Sequence, residues 1–88
     1  MSIEESDALA LRFDDLLLAG DFEGARRALG DLDPNALGVA SISCVLMVTK
    51  AAKEELGAAR IAFAERARVA LSGKLAPDVV ESIFRRHG

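Results

Sequence analysis

The sequence ARRALGDLDP at residues 25–34 returns in altered form as ARVALSGKLAP at residues 67–77. Each copy closes a run of helix-favouring alanine and leucine with a glycine and then a proline. Because glycine and proline interrupt helices, each copy predicts the end of one helix and the start of the next. The echo therefore predicts two pairs of helices followed by a shorter helix.

Apolar residues recur along the chain at the three- and four-residue spacing that is typical of helices. Ser2 is the predicted N-cap of the first helix, and Gly20 ends that helix. Asp21 and Asp33 are the predicted N-caps of the next two helices. The predicted helices cover residues 3–19, 22–32, 35–56, 58–71 and 77–86.

The fold class that follows is an all-α bundle of four or five antiparallel helices. Eighty-eight residues suffice for one domain, and a hydrophobic content of 51% exceeds that of disordered chains. We therefore expect a single domain over residues 1–88. Its parts are a first hairpin over about 3–33, a second hairpin over about 34–73 and a capping helix over about 77–86.

The segment LLLAGDFEGARRALGDLDPN, residues 16–35, resembles a tetratricopeptide repeat. Gly20 at the helix turn, Phe22 at the start of the second helix, Ala25 on its packing face and the closing residues 33–35 follow the order of that family. The echo has a spacing of 42 to 43 residues, whereas the family period is about 34. The resemblance implies a stack of α-hairpins that binds a peptide or helix of a partner protein, without a cofactor and without catalysis.

The third predicted helix is apolar or small on nearly every side between residues 37 and 49, and the first helix also has a wide apolar face. Five short helices have too little surface to cover both, so we expect contact with another protein or a homodimer. The alternative is a monomer that buries both faces itself. The candidate contact residues are Leu11, Leu18, Val39, Ile42 and Met47.

Two other features of these helices bear on packing. Cys44 is predicted to be a small buried hydrophobic residue in a reducing compartment. In the alanine-rich fourth helix, Ile61 and Val69 are predicted to pack as larger side chains between helices that approach closely.

The charge of the chain is unevenly divided. Residues 1–33 have a net charge of −6 and residues 34–88 a net charge of +3. Head-to-tail complementarity within the fold or within a dimer explains this division, and the acidic half disfavours nucleic-acid binding. The alternative function is a small oligomeric DNA-binding regulator, which would need Arg68, Lys74, Arg85 and Arg86 on one face.

The sequence offers no arrangement typical of an enzyme. Its one histidine, His87, is next to the last residue, and no spacing of Cys, His and Glu matches a metal site. We therefore expect no catalytic, metal or cofactor-binding residue and no small-molecule substrate. The acidic start of the chain does not resemble a signal peptide, and no apolar run reaches the length of a membrane span, which predicts a cytoplasmic protein.

Overall fold

The computed structural model describes the backbone of residues 3–87 and the side chains of residues 7–87. Within that part, all regular secondary structure is helical, which confirms the all-α class. The elements are α1 (Ile3–Leu18), α2 (Phe22–Asp31), a 3-10 turn (Pro34–Ala36), α3 (Val39–Ala51), α4 (Lys53–Leu56), α5 (Ala58–Ser72) and α6 (Pro77–His87). The predicted N-cap Ser2 lies outside the described residues.

The helices α1 and α2 form a hairpin around Gly20. Gly20 has a φ of +80°, a conformation that glycine adopts without steric cost. The carboxylate of Asp21 then accepts a hydrogen bond from the Gly24 amide at 3.0 Å, which confirms Asp21 as the N-cap of α2. A three-residue connection therefore brings the two helices into contact.

The third predicted helix is divided, and the prediction of one helix over residues 35–56 is wrong. Asp33 caps only the 3-10 turn, by accepting a hydrogen bond from the Asn35 amide at 3.0 Å. Further on, Ala52 leaves the helical conformation with φ −113° and ψ 31°, and this separates α3 from α4. The break directs Leu56 into the core, where it is fully buried. The described chain therefore has six α-helices rather than four or five.

The helices pack as a flat body whose Cα extents are 36 × 28 × 16 Å. The helix α3 contacts both α1 and α6, while α5 contacts α2, α3 and α6. Each long helix contributes one face to a common core. The largest fully buried side chains of that core include Phe13, Leu29, Ile42, Leu46, Phe63 and Leu71.

The two echoed segments have equivalent positions in this packing. Their matching apolar positions are buried in both copies, and α2 and α5 pack against each other. These positions are Ala25, Ala28 and Leu29 in the first copy and Ala67, Ala70 and Leu71 in the second. Small side chains at a helix interface let the helices approach closely. The echo therefore reflects the contact between α2 and α5.

Candidate protein-binding surface

The outer face of α1 exposes two leucines although the core beside it is complete. Leu11 is 65% exposed and Leu18 is 88% exposed, while Phe13 on the opposite side is fully buried. Asp7 and Asp15 are also exposed, and they alternate with the leucines at spacings of three and four residues. The outer face of α1, defined by residues 7, 11, 15 and 18, is thus an acidic stripe with two apolar anchors.

A groove of about 420 Å³ separates the outer half of α1 from α3. Ala10 and Leu11 form its α1 wall, Ala40 and Cys44 contribute from α3, and Asp14 lines it as well. Cys44 is exposed, so the prediction that it is buried is wrong. The reason is that its side of α3 is turned towards this groove and not towards the core.

Asp14 has a pKa above its ordinary value of 3.8, primarily because partial burial disfavours the charged carboxylate. The negative charge of Asp15 raises the pKa further. Partial burial in this wall therefore disfavours the charged form of the Asp14 carboxyl group.

The five predicted contact residues are found in different surroundings. Leu11 and Leu18 lie on the outer face of α1, and Met47 on α3 is 52% exposed. Val39 is half-buried against the core. Ile42 is fully buried in the core of its own chain, so it cannot contact a partner. It is therefore no longer a candidate contact residue.

A second groove, of about 550 Å³, lies between α3, α5 and α6. Its α5 wall exposes Ile61 at 57% and Val69 at 73%, with Ala64 between them. The sequence predicts Ile61 and Val69 only as packing residues. Their spacing places them on the opposite side of α5 from Phe63 and Ala67, but it does not show which of the two sides is covered.

Charged side chains surround this second groove. The guanidinium of Arg68 forms an ion pair with Glu81 and lies over the ring of Phe84, 4.3 Å from its centroid. This cation–π contact joins α5 to α6. Arg60 and His87 also line the groove.

The basic residues that a DNA-binding face would need are partly engaged inside the chain. The ammonium of Lys74 donates a hydrogen bond to the carbonyl oxygen of Leu37 at 3.1 Å, and Arg68 is paired with Glu81. Arg85 and Arg86 are exposed at the end of α6. Nothing in this arrangement favours DNA binding over protein binding.

Among the described side chains, those of residues 7–87, no group of three or more His, Cys, Asp and Glu could hold a metal ion. Within residues 3–87, every helix is too short or too polar to cross a lipid bilayer. Comparison of the chain with protein-family models, curated proteins and solved structures gives no match.

Proposed function

We propose that the chain is a non-catalytic protein–protein interaction module of the adaptor, chaperone or regulatory kind. It binds another protein chain through the apolar helix faces of α1 and α3. The observation that carries this proposal is the exposure of Leu11 and Leu18 beside a core that is already closed over Phe13. Large exposed apolar side chains that cluster on one face are typical of protein contacts.

The energetics support a bound partner on α1. Full burial of one leucine side chain contributes about 1.5–3 kcal/mol relative to exposure. Leu11 and Leu18 are seven residues apart on one helix, a rise of about 10.5 Å, so one helix or extended segment of a partner can cover both. Coverage of both leucines therefore contributes about 3–6 kcal/mol, whereas association costs about 4–15 kcal/mol, so a stable complex needs further contacts beside these two anchors.

The neighbouring helix α3 extends the binding surface. Cys44 and Met47 are exposed at a spacing of three residues, and Cys44 lines the same groove as Leu11. The resemblance of residues 16–35 to a tetratricopeptide repeat agrees with a surface that holds a peptide or helix. A cytoplasmic location and association with a second copy of the chain are parts of the same proposal.

A capture experiment with matched variants tests the proposal. The immobilised full chain is exposed to an extract of its native cells, and the bound proteins are identified by mass spectrometry. Leu11→Asp with Leu18→Asp removes the apolar anchors of α1. Ala62→Asp with Ser82→Asp adds the same charge at exposed positions outside both grooves and serves as the control.

We expect the wild type and the control to retain the same partner, and the α1 variant to bind it at least about tenfold more weakly. Circular dichroism establishes that all three proteins are equally helical. Equal capture by all three would contradict a role for the outer face of α1.

A further inference from the structure

The helix α5 is apolar on two sides, and only one of them is covered by its own chain. Phe63 and Ala67 belong to the core side. Ile61, Ala64 and Val69 line the groove side, where they spread over an arc of about 140° around the helix axis. The groove between α3, α5 and α6 is therefore an apolar helix face without a covering helix.

The two exposed leucines of α1 are separated along their helix by nearly the same distance as the two exposed apolar residues of the groove. Ile61 and Val69 are eight residues apart, which separates them by about 12 Å along α5. Leu11 and Leu18 are separated by about 10.5 Å along α1. Both pairs are exposed, so each helix offers two apolar anchors about two turns apart.

The charges of the two helices are also complementary. The outer face of α1 carries Asp7 and Asp15, with Arg12 as a basic neighbour. The groove is lined by Arg60 and Arg68, of which Arg68 is paired with Glu81, and by one acidic residue, Glu65. Arg85 and Arg86 add exposed positive charge at the end of α6, next to the groove residues Phe84 and His87. Opposite charges orient two faces during association and disfavour the pairing of like faces.

We propose that the groove between α3, α5 and α6 receives the outer face of α1 from a second copy of the chain. The α1 of the same chain is already packed against α2 and α3, so it does not reach the groove without opening the fold. This inference rests on the proposed function, because it names the partner of the α1 face.

The contact joins two different surfaces, so its assembly follows the rules for heterologous interfaces. A chain that has made one such contact still has its other surface, either the outer face of α1 or the groove, unoccupied. The assembly therefore either closes into a ring, whose smallest form is a dimer that makes the contact twice, or continues as an open chain. Both forms depend on protein concentration.

Complementary variants test this pairing. Leu11→Asp with Leu18→Asp blocks the outer face of α1 and leaves the groove intact. Ile61→Asp with Val69→Asp blocks the groove and leaves the α1 face intact. All four residues are exposed, and circular dichroism checks the helix content of both variants. The single variants Leu18→Asp and Val69→Asp replace the double variants if either one does not fold.

Light scattering coupled to size-exclusion chromatography measures the mass of each sample over a range of concentrations. We expect the wild type and the control Ala62→Asp with Ser82→Asp to self-associate, and each blocked variant alone to be a monomer. An equimolar mixture of the two blocked variants is expected to give a species of two chains, because one intact α1 face meets one intact groove.

Three results would overturn the inference: a wild type that is monomeric at every concentration, a groove variant that associates like the wild type, or a mixture of blocked variants that stays monomeric. The proposed function is judged separately. If the wild type is monomeric but the α1 variant loses a captured partner, the inference fails and the interaction module stands.

Discussion

Gly57 and Gly30 are two exposed glycines for which alanine has opposite expected effects. Gly57 has φ +53° and ψ −127°, a conformation that side chains with a Cβ rarely adopt, whereas Gly30 lies within α2. A Cβ at either position meets no atom within 4 Å, so the difference comes from the backbone alone. We expect Gly57→Ala to lower the free energy of unfolding by about 1–3 kcal/mol. We expect Gly30→Ala to raise it by up to about 1 kcal/mol.

Urea unfolding followed by circular dichroism measures both effects, and each variant is the control for the other. Equal stability of the two variants would show that residue 57 tolerates a Cβ, and hence that the link between α4 and α5 does not depend on its left-handed conformation.

Asp14 makes the stability of the chain depend on pH. Its pKa is raised by burial, so the folded state holds the proton more firmly than the unfolded state does. The free energy of unfolding therefore falls as the pH rises from the ordinary value of 3.8 through the raised pKa. Asp14→Asn removes this loss, and we expect it to stabilise the protein at neutral pH by up to about 0.5 kcal/mol.

Chemical unfolding of both proteins between pH 3 and pH 7 measures this difference. The expected advantage of Asp14→Asn is small at acidic pH and grows as the carboxylate of the wild type ionises. A difference that stays constant over the whole range would show that the titration of Asp14 does not affect folding.

The ends of the helices were predictable where a single residue determines them. Gly20 and the capping carboxylate of Asp21 act on neighbouring backbone groups, so their effect is visible in the sequence. Asp33 also caps, but it caps a 3-10 turn and not the predicted third helix. The break at Ala52 has no such signal, since alanine favours helix. Beyond the break, Leu56 is fully buried and α4 contacts α2, a contact between distant parts of the chain that has no local signal in the sequence.

The sequence predicts the ends of a helix much better than it predicts which apolar side of the helix packs against its neighbours. On α3, the sequence does not distinguish the buried Ile42 from the exposed Met47 and Cys44, because apolar residues occupy every side. On α5, the exposed Ile61 and Val69 have the same problem. Which side is covered depends on where the neighbouring helices lie, and periodicity reports only the presence of an apolar side.

The whole molecule combines a flat shape with an uneven distribution of charge. Its acidic residues concentrate before residue 34, and α1 carries five of them. Its basic residues concentrate after that point, on α5 and at the end of α6. In the proposed pairing, the opposite charges of these helices attract two copies to each other, and the exposed apolar anchors stabilise their contact.

The dependence of self-association on salt concentration distinguishes a contact stabilised by charges from a contact stabilised by apolar side chains. Exposed charges interact over about 10 Å at 0.1 M salt and only about 3 Å at 1 M, whereas apolar burial is not weakened by this screening. If α1 of one copy meets the groove of another, the mass measured by light scattering at fixed protein concentration falls as sodium chloride is added. Asp7→Asn with Asp15→Asn removes the two acidic groups of the outer face of α1, and this variant is expected to associate more weakly and to respond less to salt. Association that strengthens with salt would assign the contact to apolar side chains alone and would remove charge complementarity as the reason for pairing α1 with the groove.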